Sequence, residues 1–199
     1  MIKIKMNEQE YFLPSNWDEV TFEQLLKLKK VNFETVKGNI LSTSLAISAL
    51  TGIDNKAIMK LPANDFAKLA EKTKWLHDFK VNAVFRNEFE FDGVKYKLTQ
   101  DFKTLTAGEV ASIEQYALEN VEANLDKILA ILIREVDEAG NLVEFDSNTV
   151  ESRAEIFKKK MTIGEVNAIS NFFLDGKEVS MQITVDSSEQ SSGIQMEEI

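Results

Sequence analysis

The 199 residues carry 33 acidic against 23 basic side chains, a formal charge of −10, with a single histidine and no cysteine. This balance argues against an electrostatic grip on nucleic acid, which needs a basic stripe, and against an anionic membrane surface. The missing cysteine excludes disulfides, thiolate metal sites and a cysteine nucleophile, and any Ser-His-Asp triad or ordinary zinc site has only His77 to draw on. No apolar run approaches the roughly 20 residues needed to span a bilayer. The longest is Ile128 to Ile133, and Met1-Ile2-Lys3-Ile4-Lys5 lacks the apolar stretch of a signal peptide. A cytoplasmic protein is expected.

Residues 2 to 13 alternate, with Ile2, Ile4 and Met6 on one face and Tyr11 and Leu13 beyond the polar run Asn7-Glu8-Gln9-Glu10. The pattern predicts a hairpin with a four-residue loop, closed by Pro14, which cannot donate to a strand ladder. Thr21 and Gln24 form a capping box, each side chain satisfying the other's free backbone donor, and open a helix over about 22–30 with Leu25 and Leu28 inward. A more apolar helix is expected over about 39–50 (Ile40, Leu41, Leu45, Ile47, Leu50), with Gly52 as its left-handed stop. Asp54 caps a short helix ending before Pro62. Asn64 is read as the cap of another, with Phe66, Leu69 and Leu76 inward and Trp75 near that stripe.

The strongest local signal is at 85–98. Asp92-Gly93 is the preferred two-residue hairpin turn, and it predicts Phe91 opposite Val94, Glu90 opposite Lys95, Phe89 opposite Tyr96 and Glu88 opposite Lys97. One face is then apolar and the other carries two opposite-charge pairs. A one-residue slip would destroy both features. Thr106 and Glu109 cap a helix over about 107–118. A helix over about 122–136 is apolar around much of its girth and should be central. Residues 137–148 form a polar excursion around Gly140-Asn141. A helix over about 149–159 ends in Lys158-Lys159-Lys160, which suits the negative end of its dipole. A third capping box, Thr162 with Glu165, opens a helix to about 174, stopped by Gly176. Val179, Met181, Ile183 and Val185 then alternate as a strand, and residues 186–199 read as a polar tail.

Residues 4–28 laid on 89–113, a shift of 85, match without a gap: Ile4 on Phe89, Tyr11 on Tyr96, Trp17 on Phe102, Thr21 on Thr106 and Leu28 on Ile113. The next apolar helices align at a shift of 84, Leu45-Ala46-Ile47 on Leu129-Ala130-Ile131, and later helices match if 137–148 is an insertion. The fold class is therefore expected to be α+β and mostly α-helical. It is read as two hairpin-plus-helices units, residues 1–84 and 85–177, followed by a strand and tail at 178–199.

No constellation points to catalysis or to a cofactor or metal. His77 reads as an exposed or capping histidine rather than a switch or ligand. The acidic groups Asp18/Glu19, Glu135/Asp137/Glu138 and Glu197/Glu198 lack the spacing of a calcium loop and read as solvated faces. There is no glycine-rich phosphate loop. Phe157, Phe172 and Phe173 read first as core. Phe172 and Phe173 are adjacent and so point in different directions from one helix, which makes them, with Val179, Met181, Ile183 and Val185, the candidate partner-binding residues. A strand there needs a neighbour, from its own chain or from another subunit.

Several segments resemble small acidic proteins from the structural and tail-assembly gene blocks of tailed bacteriophages, especially those of Bacteroidetes hosts, including crAss-like phages. They are Leu13-Pro14-Ser15-Asn16-Trp17-Asp18-Glu19-Val20-Thr21, Leu50-Thr51-Gly52-Ile53, Leu105-Thr106-Ala107-Gly108-Glu109, Ile128 through Arg134, and Arg153-Ala154-Glu155-Ile156-Phe157. The resemblance implies a non-enzymatic protein without cofactor: a virion neck or tail component (connector or ring), or a tail-assembly chaperone absent from the mature particle. An acidic host-directed inhibitor is a further alternative. The implied partners are other phage structural proteins and copies of the chain itself, in the host cytoplasm during assembly and in the virion.

Overall fold

The computed structural model describes residues 1–6, 8–31 and 40–173. The fold is α+β and mostly helical, with two small antiparallel sheets. Strands β1 (Ile2–Met6) and β2 (Gln9–Leu13) form the first hairpin. Helices α1 (Phe22–Lys29), α2 (Ile40–Thr51), α3 (Asn55–Ile58) and α4 (Ala63–Glu71) follow. Strands β3 (Glu88–Phe91) and β4 (Val94–Leu98) make the second hairpin. Then come α5 (Ala107–Asn120), α6 (Leu125–Leu132), β5 (Ile133–Glu135), α7 (Val150–Lys160) and α8 over 163–173.

The second hairpin has the register its turn dictates, Phe91 opposite Val94 through Glu88 opposite Lys97. Asp92 and Gly93 both take positive φ, 53° and 82°, as such a turn requires. The first hairpin is tighter than its polar loop suggested. Met6 lies opposite Gln9, so the connection is two residues, and Glu8 accepts φ 63°; this register draws Gln9 and Glu10 into the ladder, pairing backbone that a four-residue loop would leave out. At the same shift of 85, Ile4 faces Tyr11 as Phe89 faces Tyr96, one-turn 3-10 helices occupy 17–19 and 102–104, and helices start at Phe22 and Ala107.

Both capping boxes close reciprocally: Gln24 N–H donates to Thr21 Oγ1 while Thr21 N–H donates to Gln24 Oε1, and Thr106 and Glu109 do the same. The third box, Thr162 with Glu165, closes likewise and starts α8. The residue three beyond each cap also reaches outward. Gln24 Nε2 donates to the Leu50 carbonyl at the end of α2, Glu109 meets Arg134 at 3.3 Å, and Glu165 meets Arg86 at 3.4 Å.

The two units then diverge. The helix expected over 122–136 stops at Leu132, and Ile133–Glu135 turns extended to join β4, with Leu98 opposite Ile133 and Tyr96 opposite Glu135. A continuous buried apolar run satisfies either conformation, so periodicity could not locate the switch; the open edge of β4 decides it. Residues 137–148 are built around a tight turn, with Val136 bridging Leu142 and Asp137 accepting N–H bonds from Ala139 and Asn141. Helix α4 begins after Pro62 rather than at a cap by Asn64, because the Pro62 carbonyl already accepts the first helical N–H bonds, from Asp65 and Phe66. Leu76 falls in a separate 3-10 turn, Lys74–His77.

The main core is formed by α6 with Tyr96, Leu98, Ala154, Phe157 and Ile169, and it takes in Phe22 from α1. A second core joins Leu13, Trp17, Val20, Leu28 and Leu50 to Ile163 of α8. The sequence ranges of the two units thus exchange elements across their boundary. A backbone bridge seals the exchange: Phe22 N–H donates to the Met161 carbonyl at 3.0 Å and Ile163 N–H to the Val20 carbonyl at 2.9 Å, bringing Thr21 beside Thr162. Gly176, the strand expected at 178–185 and the tail at 186–199 lie outside the described residues.

Candidate protein–protein surfaces

Phe172 and Phe173 end the described part of α8, and successive helical positions send them to different neighbours. Phe172 meets Phe85 with ring centroids 5.3 Å apart, while Phe173 lines a small apolar slot with Val121, Leu125 and Ile169. Both are half-buried and pack against the main core. Phe157 is buried outright, edge-on to Tyr96 at 5.2 Å. The other candidate partner residues, Val179, Met181, Ile183 and Val185, lie outside the described residues.

The slot beside Phe173 adjoins a larger one of about 240 Å3 between α1, Val81 and α8, with Leu125 and Ser170 common to both. Lys29 and Glu122 pair across its mouth at 3.4 Å. A wider groove of about 630 Å3 lies between α2 and α3–α4, lined by Ile40, Thr43, Met59, Phe66, Ala67 and Ala70. No residue of α4 is buried, although Phe66, Leu69 and Ala70 form an apolar stripe at helical spacing. His77 is exposed at this groove's rim.

The acidic and basic groups singled out in the sequence have structural employment. Asp18 accepts from the backbone and side-chain amides of Asn82 at 2.8 and 2.6 Å, tying the segment between the units to the first 3-10 turn. Glu19 accepts from the Met1 ammonium and from Ser15, contacts that lower its pKa, the ammonium first. At the end of α7, Lys158 lies between Glu155 (2.6 Å) and Asp126 (3.2 Å), and Lys160 meets Asp92 at 2.7 Å. The hydrogen bond that Lys158 donates to Glu155 leads in raising the Lys158 pKa. Glu197 and Glu198 lie outside the described residues. Among the described residues, no three histidine or acidic side chains converge as a metal would need, and no helix is long and apolar enough to cross a membrane.

Asp137 is held below the usual carboxylate range, chiefly by the Asn141 backbone N–H. A depressed folded pKa means the charged carboxylate is what stabilises the turn. That contribution is present above the ordinary value of about 3.9 and is lost as pH falls through the depressed one. The amide resonances of Ala139 and Asn141, followed by NMR, should therefore titrate together with a midpoint below that value. A midpoint at or above it would show that the turn does not depend on the charge.

Sequence inspection missed the buried ionic groups. Glu109 is fully buried against Arg134, and Asp126 is buried against Lys158. Arg153 is also buried, its pKa lowered by loss of solvent, with Glu135 the leading opposing influence. The only trace in the sequence was the place of Glu109 in a capping box, which does not announce a second partner. The groove along α2 and α4 was likewise invisible, since both helices carry ordinary apolar patterns. Comparison of the chain with protein-family models, with curated proteins and with solved structures finds no match.

Proposed function

We propose that this chain is a non-enzymatic structural or assembly protein of a tailed bacteriophage, working through protein–protein contacts as a neck or tail (connector or ring) component. Two things support the reading. One is the resemblance of the segments between Leu13 and Phe157 to small acidic proteins of phage structural and tail-assembly gene blocks. The other, which carries it, is the placement of large apolar side chains in solvent on both units: Ile40 and Phe79 in the first, Leu118 and Val121 in the second, with Leu118 87% exposed. Isolated exposed apolar residues are ordinary. Here Ile40 borders the α2–α4 groove, Phe79 borders the slot beside Val81, and Leu118 and Val121 stand about one turn apart at the end of α5, which is the arrangement of contact surfaces.

Mass spectrometry of purified virions tests the assignment. Stoichiometric presence supports a neck or tail component. Absence from virions, with the chain bound to a tail protein during assembly, supports the assembly chaperone instead. Deletion of 178–199 should abolish assembly while the far-ultraviolet circular dichroism of the remaining helices is retained. Normal assembly by the truncated chain would remove that segment from the interface.

A further inference from the structure

Helix α5 is the counterpart of α1 in the second unit, but the two helices have different fates. On α1, Phe22, Leu25 and Leu26 pack into the main core beside Met161 and Val166. The corresponding positions on α5, Ala107, Val110 and Ala111, are exposed. The apolar weight moves outward along the helix to Leu118 and, one turn on, Val121, both in solvent. Val110, Glu114 and Leu118 fall four residues apart, so they stand on one face, with Val121 close behind. The inner side of α5 is fully engaged, with Ile113 and Glu109 buried and the Tyr116 carbonyl accepting from Asn124. The first unit shows the converse lack: α4 buries no residue, and the groove between it and α2 stands open at about 630 Å3.

The two surfaces also differ in charge. Between Lys103 and Lys127 the chain has no lysine or arginine, and Glu114, Glu119 and Glu122 are exposed there. Residues 55–80, which supply the α3–α4 wall of the groove, carry six lysines against Asp65, Glu71 and Asp78; Lys68, Lys74 and Lys80 pair with those three acids, which leaves Lys56, Lys60 and Lys72, the last two next in sequence to groove-lining residues. An apolar groove flanked by a net-basic segment and an acidic helix with exposed apolar side chains thus coexist on a chain whose net charge is −10.

We propose that a second copy of this chain is the partner: the exposed face of α5 in one copy docks into the α2–α4 groove of the next. This deepens the assembly reading above, on which it rests, by naming the occupant. An amphipathic helix laid in a groove is a common recognition mode. The interface pairs two different surfaces of the same chain, so it is heterologous. It repeats from copy to copy, closing into a ring where the rotation permits and otherwise growing. Lys56, Lys60 and Lys72 beside the groove and the exposed glutamates on and just after α5 steer the encounter, and this attraction weakens as salt shortens its range.

Sedimentation velocity of the full chain over a concentration series tests the contact, using two variants at exposed positions, Leu118→Glu on α5 and Ala67→Glu on the groove wall. Wild type should form species larger than a dimer, and fewer of them as salt rises. Each variant alone should be monomeric. Their equimolar mixture should give a one-to-one dimer that grows no further, since one intact α5 face then meets one intact groove. A monomeric wild type, variants that associate like wild type, or a mixture that stays monomeric would each overturn the proposal. Circular dichroism confirms that both variants are folded. A monomeric chain that is nonetheless found in purified virions overturns this interface and leaves the phage assignment standing. Self-association of a chain absent from virions and from assembly intermediates does the reverse.

Discussion

Gly164→Ala is expected to lower the melting temperature, whereas Gly108→Ala, at the same position of another capping box, is expected to leave it unchanged or raise it. Both glycines are the second residue of a helix, where alanine's better propensity is worth up to about 1 kcal/mol. At Gly108 an added Cβ meets only Thr106 Oγ1, at 3.9 Å, an ordinary contact. At Gly164 it would collide with the Asn82 carbonyl oxygen, a backbone atom. That backbone is held from several sides. Asp18 binds both amides of Asn82, Val84 N–H donates to the Gly164 carbonyl at 3.3 Å, and Arg86 pairs with Glu165 at 3.4 Å. Overpacking of this kind costs about 1–3 kcal/mol, which exceeds the propensity gain, and each kcal/mol shifts the melting point of a chain this size by about 2–4 °C. Thermal denaturation followed by circular dichroism gives the answer. Equal melting temperatures for the two variants would mean that the segment between the units does not press on α8 as described.

The second large effect is expected at Glu109. Its carboxylate has three tasks: it accepts the Thr106 N–H and the Thr106 hydroxyl, both at 2.8 Å, and it neutralises Arg134 at 3.3 Å. Glu109→Ala removes half of a capping box, worth about 1 kcal/mol, and leaves the guanidinium of Arg134, only 13% exposed, without its carboxylate. Breaking a buried pair from one side costs about 3–5 kcal/mol, whereas replacing both partners by apolar residues is often neutral. Glu109→Ala should therefore unfold at markedly lower denaturant, and Glu109→Leu combined with Arg134→Met should recover most of the loss. If the single variant is as stable as wild type, or the double variant no better than the single, the pair is not what ties α5 to β5. Gln24→Ala in the first unit should be milder, because Gln24 donates to the Leu50 carbonyl and leaves no charge behind.

What the residues determined unaided were the features decided within a few positions of one another. Asp92-Gly93 set the second hairpin and its register. The Thr-x-x-Gln/Glu boxes started α1, α5 and α8, and Gly52, at φ 75°, ended α2. These are local hydrogen bonds and dihedral preferences, available before any tertiary contact forms. The recurrence at a shift of 85 was readable for the same reason, being a repetition of local signals. Tertiary structure alone decided what distant surfaces compete for. Ile133–Glu135 left the helix because β4 offered an unpaired edge. Ile40 stayed 60% exposed although α2 is apolar, because the helix packs its buried side chains, Ala46, Ile47 and Leu50, against the two cores of the first unit. Glu109 became an ionic anchor because β5 places Arg134 beside it. Above all, α1 and α5, alike in their caps and their spacing, were separated by what covers them: α7 and α8 close over the first, and the outer face of the second stays open. Burial is a property of pairs of surfaces, so no single stretch of sequence can declare it, and the candidate contact sites became visible only once the two similar units were seen to be unequally covered.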